Sequence, residues 1–349
     1  MTSQIFATRL GHKGDDDQAL RLPLTLPALV MLGCTAVPPA PQLPPPVDRP
    51  LPAGEAGHAE RALVADDGTA LYLQGYREAG SAEAVVLVVH GLRDHGGRYA
   101  GLARSLAKRG WPTYALDLRG HGRSAGPRAW TSRFERYVDD VALAVEAVRE
   151  AEPGAPLFLL GHSMGGVIAA LYAERPDARI DGLILSAPAL EVDVGPLARC
   201  GANLVADLSP ASPLFALDMS HWSRDPAVIA DNQADPLVLQ SAAPIQTGVQ
   251  LLEAAAEALR GAPFVRVPTL ALHGDADLIT SPSGSRRFVE SVRAEHKALR
   301  LYRGAFHDLW HEPEREAITA DLRSFLEAHD QDPPSPSGEP EPDAQEPGE

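Results

Sequence analysis

Cysteine is nearly absent from this chain of 349 residues, which holds only Cys34 and Cys200. No disulfide framework can therefore organise the fold. Lysine is scarce too, at Lys13, Lys108 and Lys297 alone, so arginine supplies almost all the positive charge. With abundant Ala, Gly and Pro, that bias points to a GC-rich bacterial gene. An excess of positive charge is also missing. The formal net charge is −16, which argues against nucleic acid or an anionic membrane surface as partner. The chain is long enough for one large or two medium domains, and 44% hydrophobic residues can fill a sizeable core.

A long apolar run is lacking as well. The stretch Leu22 to Gly33 (LPLTLPALVMLG) has the length of a signal-peptide h-region and is too short to span a bilayer. Arg9, Lys13 and Arg21 precede it, and it ends in Leu32-Gly33-Cys34, which resembles a bacterial lipobox. Residues 1–34 are expected to be a lipoprotein signal peptide, with Cys34 acylated and the protein held at the cell envelope. An ordinary cleaved signal peptide and a cytosolic leader are the alternatives. Residues 35–57 form a Pro-rich linker; Val37 to Pro52 is half proline and suits an extended spacer. If Cys34 is lipidated, Cys200 is left as a free, buried thiol; a Cys34–Cys200 bridge is the other reading. Residues 329–349 form an acidic tail expected to be disordered.

What is present is Gly161-His162-Ser163-Met164-Gly165-Gly166, lying between an apolar run of strand type (Pro156 to Leu160) and a helical one (Val167 to Ala173). A Gly-x-Ser-x-Gly in that context reads as a nucleophile elbow, whose tight turn lifts the serine hydroxyl into the open. Around it, strand and helix patterns alternate. A hairpin with an Asp-Gly turn spans Arg61 to Tyr76. Strands are expected at Ala84–Val89, Pro112–Leu118, Gly182–Ser186, Thr269–Leu272 and Leu299–Tyr302, with helices at Gly101–Arg109, Tyr137–Glu150 and Thr247–Leu259. Such alternation implies an α/β fold with a mostly parallel sheet and helices on both faces. The core is expected over 58–187 and 262–328. Alternation stops over 188–261, which is read as a cap or lid over the carboxyl ends of the strands; a second small core is the alternative.

A serine nucleophile needs a base, and the base needs an orienting carboxylate. Candidates sit just past the last two strands, in His273-Gly274-Asp275-Ala276-Asp277 and Gly304-Ala305-Phe306-His307. His307 is the expected base. Asp277 is preferred to Asp275, which lies in the tight turn leaving the strand. The oxyanion needs two backbone donors, expected from Met164 and from Leu92 in the loop after Val89. His162 is an elbow residue, and His90, His95 and His121 read as structural hydrogen-bonders. His307 and His311 are four apart, but no H-E-x-x-H pattern surrounds them, so no metal or other cofactor is expected.

These stretches, together with His90 to Tyr99, Asp117 to Ser124 and Asn232 to Leu237, occur in the order found in the monoacylglycerol lipase and lysophospholipase branch of the α/β-hydrolases, related to the serine aminopeptidases. The chain resembles that family over about residues 60–328. The resemblance implies a serine carboxylic ester hydrolase with a triad of Ser163, Asp277 and His307, oxyanion donors Leu92 and Met164, and a mobile cap over an acyl channel. It also implies a lipid ester substrate and places Asp94 and Arg98 near the polar, glycerol-side end of the pocket. Trp310 departs from the animal enzymes, where a second histidine contributes to glycerol recognition. Lysophospholipase, short-chain esterase and prolyl-peptidase activity are the alternatives among enzymes. An inactive hydrolase fold kept as a binding module is the alternative outside them.

Overall fold

The structure, a computed structural model, describes residues 55–216 and 219–330. The leader with Cys34, nearly all of the Pro-rich linker and the acidic tail beyond residue 330 lie outside the described residues. Among the described residues no helix is long and apolar enough to cross a membrane.

A hairpin opens the fold, with β1 (Gly57–Val64) antiparallel to β2 (Ala70–Arg77) across the Asp-Gly turn. The sheet then continues through β3 (Val85–Val89), β4 (Thr113–Asp117), β5 (Leu157–His162) and β6 (Gly182–Ser186). Two short strands, β7 (Pro213–Phe215) and β8 (Ala243–Pro244), pair with each other in the cap. β9 (Thr269–Gly274) and β10 (Lys297–Tyr302) complete the sheet. The spatial order is β1-β2-β4-β3-β5-β6-β9-β10, antiparallel where β2 meets β1 and β4 and parallel from β4 to β10.

Side-chain alternation along a strand decides which face each residue serves. In β3, Val85, Leu87 and Val89 join one buried cluster while Val86 and Val88 join the other. The first cluster takes residues from α2 (Glu135–Ala151), α3 (Met164–Ala173), α6 (Ile245–Gly261) and α7 (Pro282–Ser291). The second takes them from α1 (Ala100–Ala107) and α8 (Arg315–His329). Both faces are therefore covered, as a sheet of β-branched central strands requires.

The cap holds α4 (Pro196–Leu208) and α5 (Pro226–Ala234). No residue of α4 is buried, and Leu197, Leu204 and Leu208 are 90%, 61% and 76% exposed. A second small core is thus not built on this helix. Cys200, expected to be buried, is exposed on it, because α4 lies on the outside of α6 and buries none of its own residues. The helix α6 behaves otherwise. It presents Leu251, Ala254, Ala255 and Ala258 to the main core and packs on α3, so by packing it belongs with the core, though the cap was expected to run to residue 261.

Candidate active site

The elbow is forced by sequence. Ser163 adopts φ +54°, a left-handed conformation costly for a residue with a β-carbon. A side chain on Gly161 would strike the Gly165 carbonyl, and one on Gly165 would strike the carbonyls of Val89 and His90. Glycine at both positions lets α3 start hard against the ends of β5 and β3. The turn is fixed from both sides: Ser163 N–H donates to the Ser186 carbonyl at 3.0 Å, and Ala189 N–H donates to the Ser163 carbonyl at 3.0 Å. Met164 is the first residue of α3, so its N–H is one of those a helix start leaves unpaired.

The His90-Gly91-Leu92 loop meets the nucleophile directly. The Ser163 β-carbon lies 3.1 Å from the point where a side chain on Gly91 would begin. Arg93 takes φ +69° in this loop, and its guanidinium donates to the carbonyls of Leu239 and Gln240 at 2.6 and 3.1 Å. Leu239 N–H donates back to the Arg93 carbonyl at 3.1 Å. His95 pairs with Asp235 at 2.9 Å. Residues 235–240 therefore tie the cap to the loop carrying Leu92. The Asp117 carboxylate holds the same region from below, accepting from Gly96 N–H at 2.7 Å and Arg123 N–H at 2.8 Å.

His307 and Asp277 come together at the ends of β10 and β9. His307 Nδ1 lies 2.7 Å from Asp277 Oδ2, and both residues are buried. The other nitrogen, His307 Nε2, is buried with no hydrogen-bond partner; it is the atom that a serine proton would reach. Asp277 also accepts from the N–H groups of Ile279 and Thr280 at 2.8 and 3.0 Å and from the Thr280 hydroxyl at 2.9 Å. His273 Nε2 stands 3.2 Å from its Oδ2. Burial would raise this carboxyl, but the imidazoles of His307 and His273 hold it well below the usual carboxylate range. Asp275 instead accepts from Gly304 N–H at 2.6 Å, bracing the loop that carries His307. The expected roles of the two aspartates are thus separated by geometry.

Histidines set aside as structural behave so. His90 Nε2 accepts from Leu118 N–H at 3.0 Å, and His121 Nδ1 lies 2.9 Å from the Arg119 carbonyl. Burial pushes both down to about 3. His162 is more than a spacer: its ring lies 4.9 Å from that of His307 and 5.9 Å from that of Trp222, and Trp222 lies 5.3 Å from His307. Burial, with His307 beside it, pushes His162 down to about 4, so it packs as a neutral ring.

Asp94 and Arg98 are brought together, but as an internal pair: Arg98 Nε lies 3.1 Å from Asp94 Oδ1 and its Nη2 donates to Asp308 at 2.8 Å. Trp310 is buried in the second core cluster. His311 turns to Asp308 at 2.8 Å and to the Arg98 carbonyl at 3.1 Å. Among the described residues no cluster of His, Cys, Asp and Glu is arranged to hold a metal ion. Sequence reasoning missed His273, Thr280, Trp222 and Asp308. The first pair flank Asp277 within one short motif, a signal that was available; the second pair meet across 86 residues, and nothing local announces that.

Residues 80–314 match the Hydrolase_4 family, described as serine aminopeptidase, S33. The chain is 34% identical over 247 residues to a monoacylglycerol lipase of Mycolicibacterium smegmatis, covering 70% of this chain and 88% of that one. It is 36% identical over 253 residues to the human monoglyceride lipase, covering 71% and 82%. Among solved structures, a Paleococcus ferrophilus monoacylglycerol lipase superposes with a TM-score of 0.64 at 32% identity, covering 74% of this chain and 99% of that one. A Saccharomyces cerevisiae monoglyceride lipase shares the fold with a TM-score of 0.67 at 22% identity, covering 80% and 99%. With the elbow, the sheet order and these relatives together, the chain belongs to the serine aminopeptidase S33 family of the α/β-hydrolases.

Proposed function

We propose that this protein hydrolyses the ester bond of monoacylglycerol-like lipids through an acyl-enzyme. Ser163 Oγ attacks the ester carbonyl while His307 Nε2 takes its proton, and the Asp277 carboxylate stabilises the imidazolium that forms. The backbone N–H groups of Leu92 and Met164 receive the oxyanion. The alcohol leaves with the proton from His307. Water then attacks the acyl-serine by the same route and releases the fatty acid. The family resemblance would put Asp94 and Arg98 toward the alcohol side, where they are ion-paired with each other. The observation that carries this reading is the His307–Asp277 contact, at the strand ends where the strained Ser163 also stands. The substrate class is supported by the relatives named monoacylglycerol or monoglyceride lipase.

The test is a panel of long- and medium-chain monoacylglycerols, lysophosphatidylcholine, short p-nitrophenyl esters and a prolyl amide, run with wild type and Ser163→Ala. Long-chain glycerol esters are expected to be preferred, with kcat falling by at least about 10³-fold in the folded variant. Preference for lysophosphatidylcholine would make the enzyme a lysophospholipase, and activity on short esters alone would make it an esterase. No turnover, with no labelling by a fluorophosphonate, would leave a binding module.

We also propose that acylated Cys34 holds the enzyme at a bacterial cell envelope. The support is the lipobox-like Leu32-Gly33-Cys34 and the proline-rich spacer behind it. Cys34→Ser is expected to move the protein from the membrane to the soluble fraction; retention in the membrane would rule the anchor out.

A further inference from the structure

Asp308 follows the candidate base in sequence, and the triad does not use it. It is buried, and its carboxylate gathers three donors from three parts of the fold. Arg98 Nη2 reaches it at 2.8 Å from the loop before α1, His311 Nδ1 at 2.8 Å from the turn before α8, and Trp222 Nε1 at 2.9 Å from the cap. The other charged or titratable groups around this cluster include Asp94, 3.1 Å from Arg98, the Tyr99 hydroxyl, 3.3 Å from Asp94, and the His162 imidazole, whose ring lies 5.9 Å from that of Trp222.

The contact with the cap does not stop at one bond. Asp308 N–H donates to the Trp222 carbonyl at 2.8 Å, and His307 N–H donates to the His221 carbonyl at 3.4 Å. Two residues on, Arg224 binds Glu312 through its backbone N–H at 2.7 Å and its Nε at 2.5 Å. The segment 221–224 is thus sewn along 307–312. The outcome is that the Trp222 indole, held by Asp308 at its N–H and faced by the Arg98 guanidinium 5.8 Å away, packs edge-on against the His307 ring.

An imidazole held at Nδ1 alone can still swing about that bond, and His307 is packed between two rings, His162 at 4.9 Å and Trp222 at 5.3 Å. A second, fixed ring against it removes that freedom, and an error of about 1 Å in a catalytic group is worth orders of magnitude in rate. We propose that Asp308 and Trp222 form a latch between cap and catalytic loop, in which the carboxylate holds the indole and the indole holds His307 in its reactive orientation. Both are positioning residues for acyl transfer. The segment 221–224 is accordingly a fixed edge of the cap.

The inference rests on reading Ser163, Asp277 and His307 as an ester-hydrolysing triad, and the test separates the two. Trp222→Phe keeps a ring against His307 and deletes the N–H; Asp308→Leu keeps roughly the size and deletes the acceptor that the Trp222 N–H uses. Each folded variant, checked by thermal melting, is measured for kcat and KM on a monoacylglycerol and for its rate of labelling by a fluorophosphonate, which needs no lipid recognition. Each single change is expected to lower kcat and the labelling rate about tenfold, with KM within about threefold. The double variant is expected to be no worse than the weaker single, because both act through one bond. Wild-type labelling rates in both singles, or losses that multiply in the double, would overturn the latch. A wild type that resists the probe would instead overturn the hydrolase reading beneath it.

Discussion

At the residue scale the site turns on two carboxylates two positions apart. Asp277 and Asp275 leave the same strand end, yet one accepts from His307 and Thr280 and the other from the backbone of Gly304. Their separation was legible in the sequence because the first aspartate sits in the turn itself, where a short side chain bonds local backbone. Asp277→Asn leaves the shape and removes the charge that opposes the imidazolium. It also favours the wrong tautomer of His307, so kcat is expected to fall about 10⁴-fold. Asp275→Asn can still accept from Gly304 and is expected to cost less than about tenfold. Steady-state kcat on a soluble ester decides it; equal losses would mean that the loop brace, and not the charge, sets the rate.

At the scale of elements, what was legible is what is local. The strands of the core announce themselves as β-branched runs, and the elbow announces itself because a turn so tight admits few residue types. The helix α6 was legible by its period, but its partner was not. Its buried face holds Leu251, Ala254, Ala255 and Ala258, mostly alanine, which lets it settle on α3, a helix buried at every residue but Leu171. A pattern of small residues says that a helix packs closely without saying on what. In α4 the reverse holds: Cys200 was expected to be buried, and the structure leaves it in the open together with Leu197, Leu204 and Leu208. The Trp222–Asp308 contact was illegible for a third reason, since pairing across 86 residues leaves no periodicity to detect.

At the scale of the whole molecule, the fold accepts a cost at the far end of the elbow helix. Glu174 caps the carboxyl end of α3, where the helix dipole already disfavours negative charge. Its Oε1 is buried without a partner and its Oε2 abuts Gly261 at the end of α6. Burial, with Glu257 nearby, pushes the carboxyl up to about 8 from an ordinary 4.5. Below pH 4.5 the group is neutral in both the folded and unfolded chain and contributes nothing. As pH rises toward 8 the unfolded chain ionises freely while the folded one resists, so stability is lost across that window. Glu174→Gln, which is neutral at every pH, is therefore expected to leave stability unchanged at pH 4.5 and to raise it by about 1–2 kcal/mol at pH 9, after allowance for partial solvent access. Urea midpoints at the two pH values measure this. An equal gain at both would assign the effect to packing, and no gain at pH 9 would mean the carboxylate reaches water. Because α3 places Met164 at one end and Glu174 at the other, the gain should come with ester turnover unchanged: the strained residue is Ser163, and the substitution lies a full helix away from it.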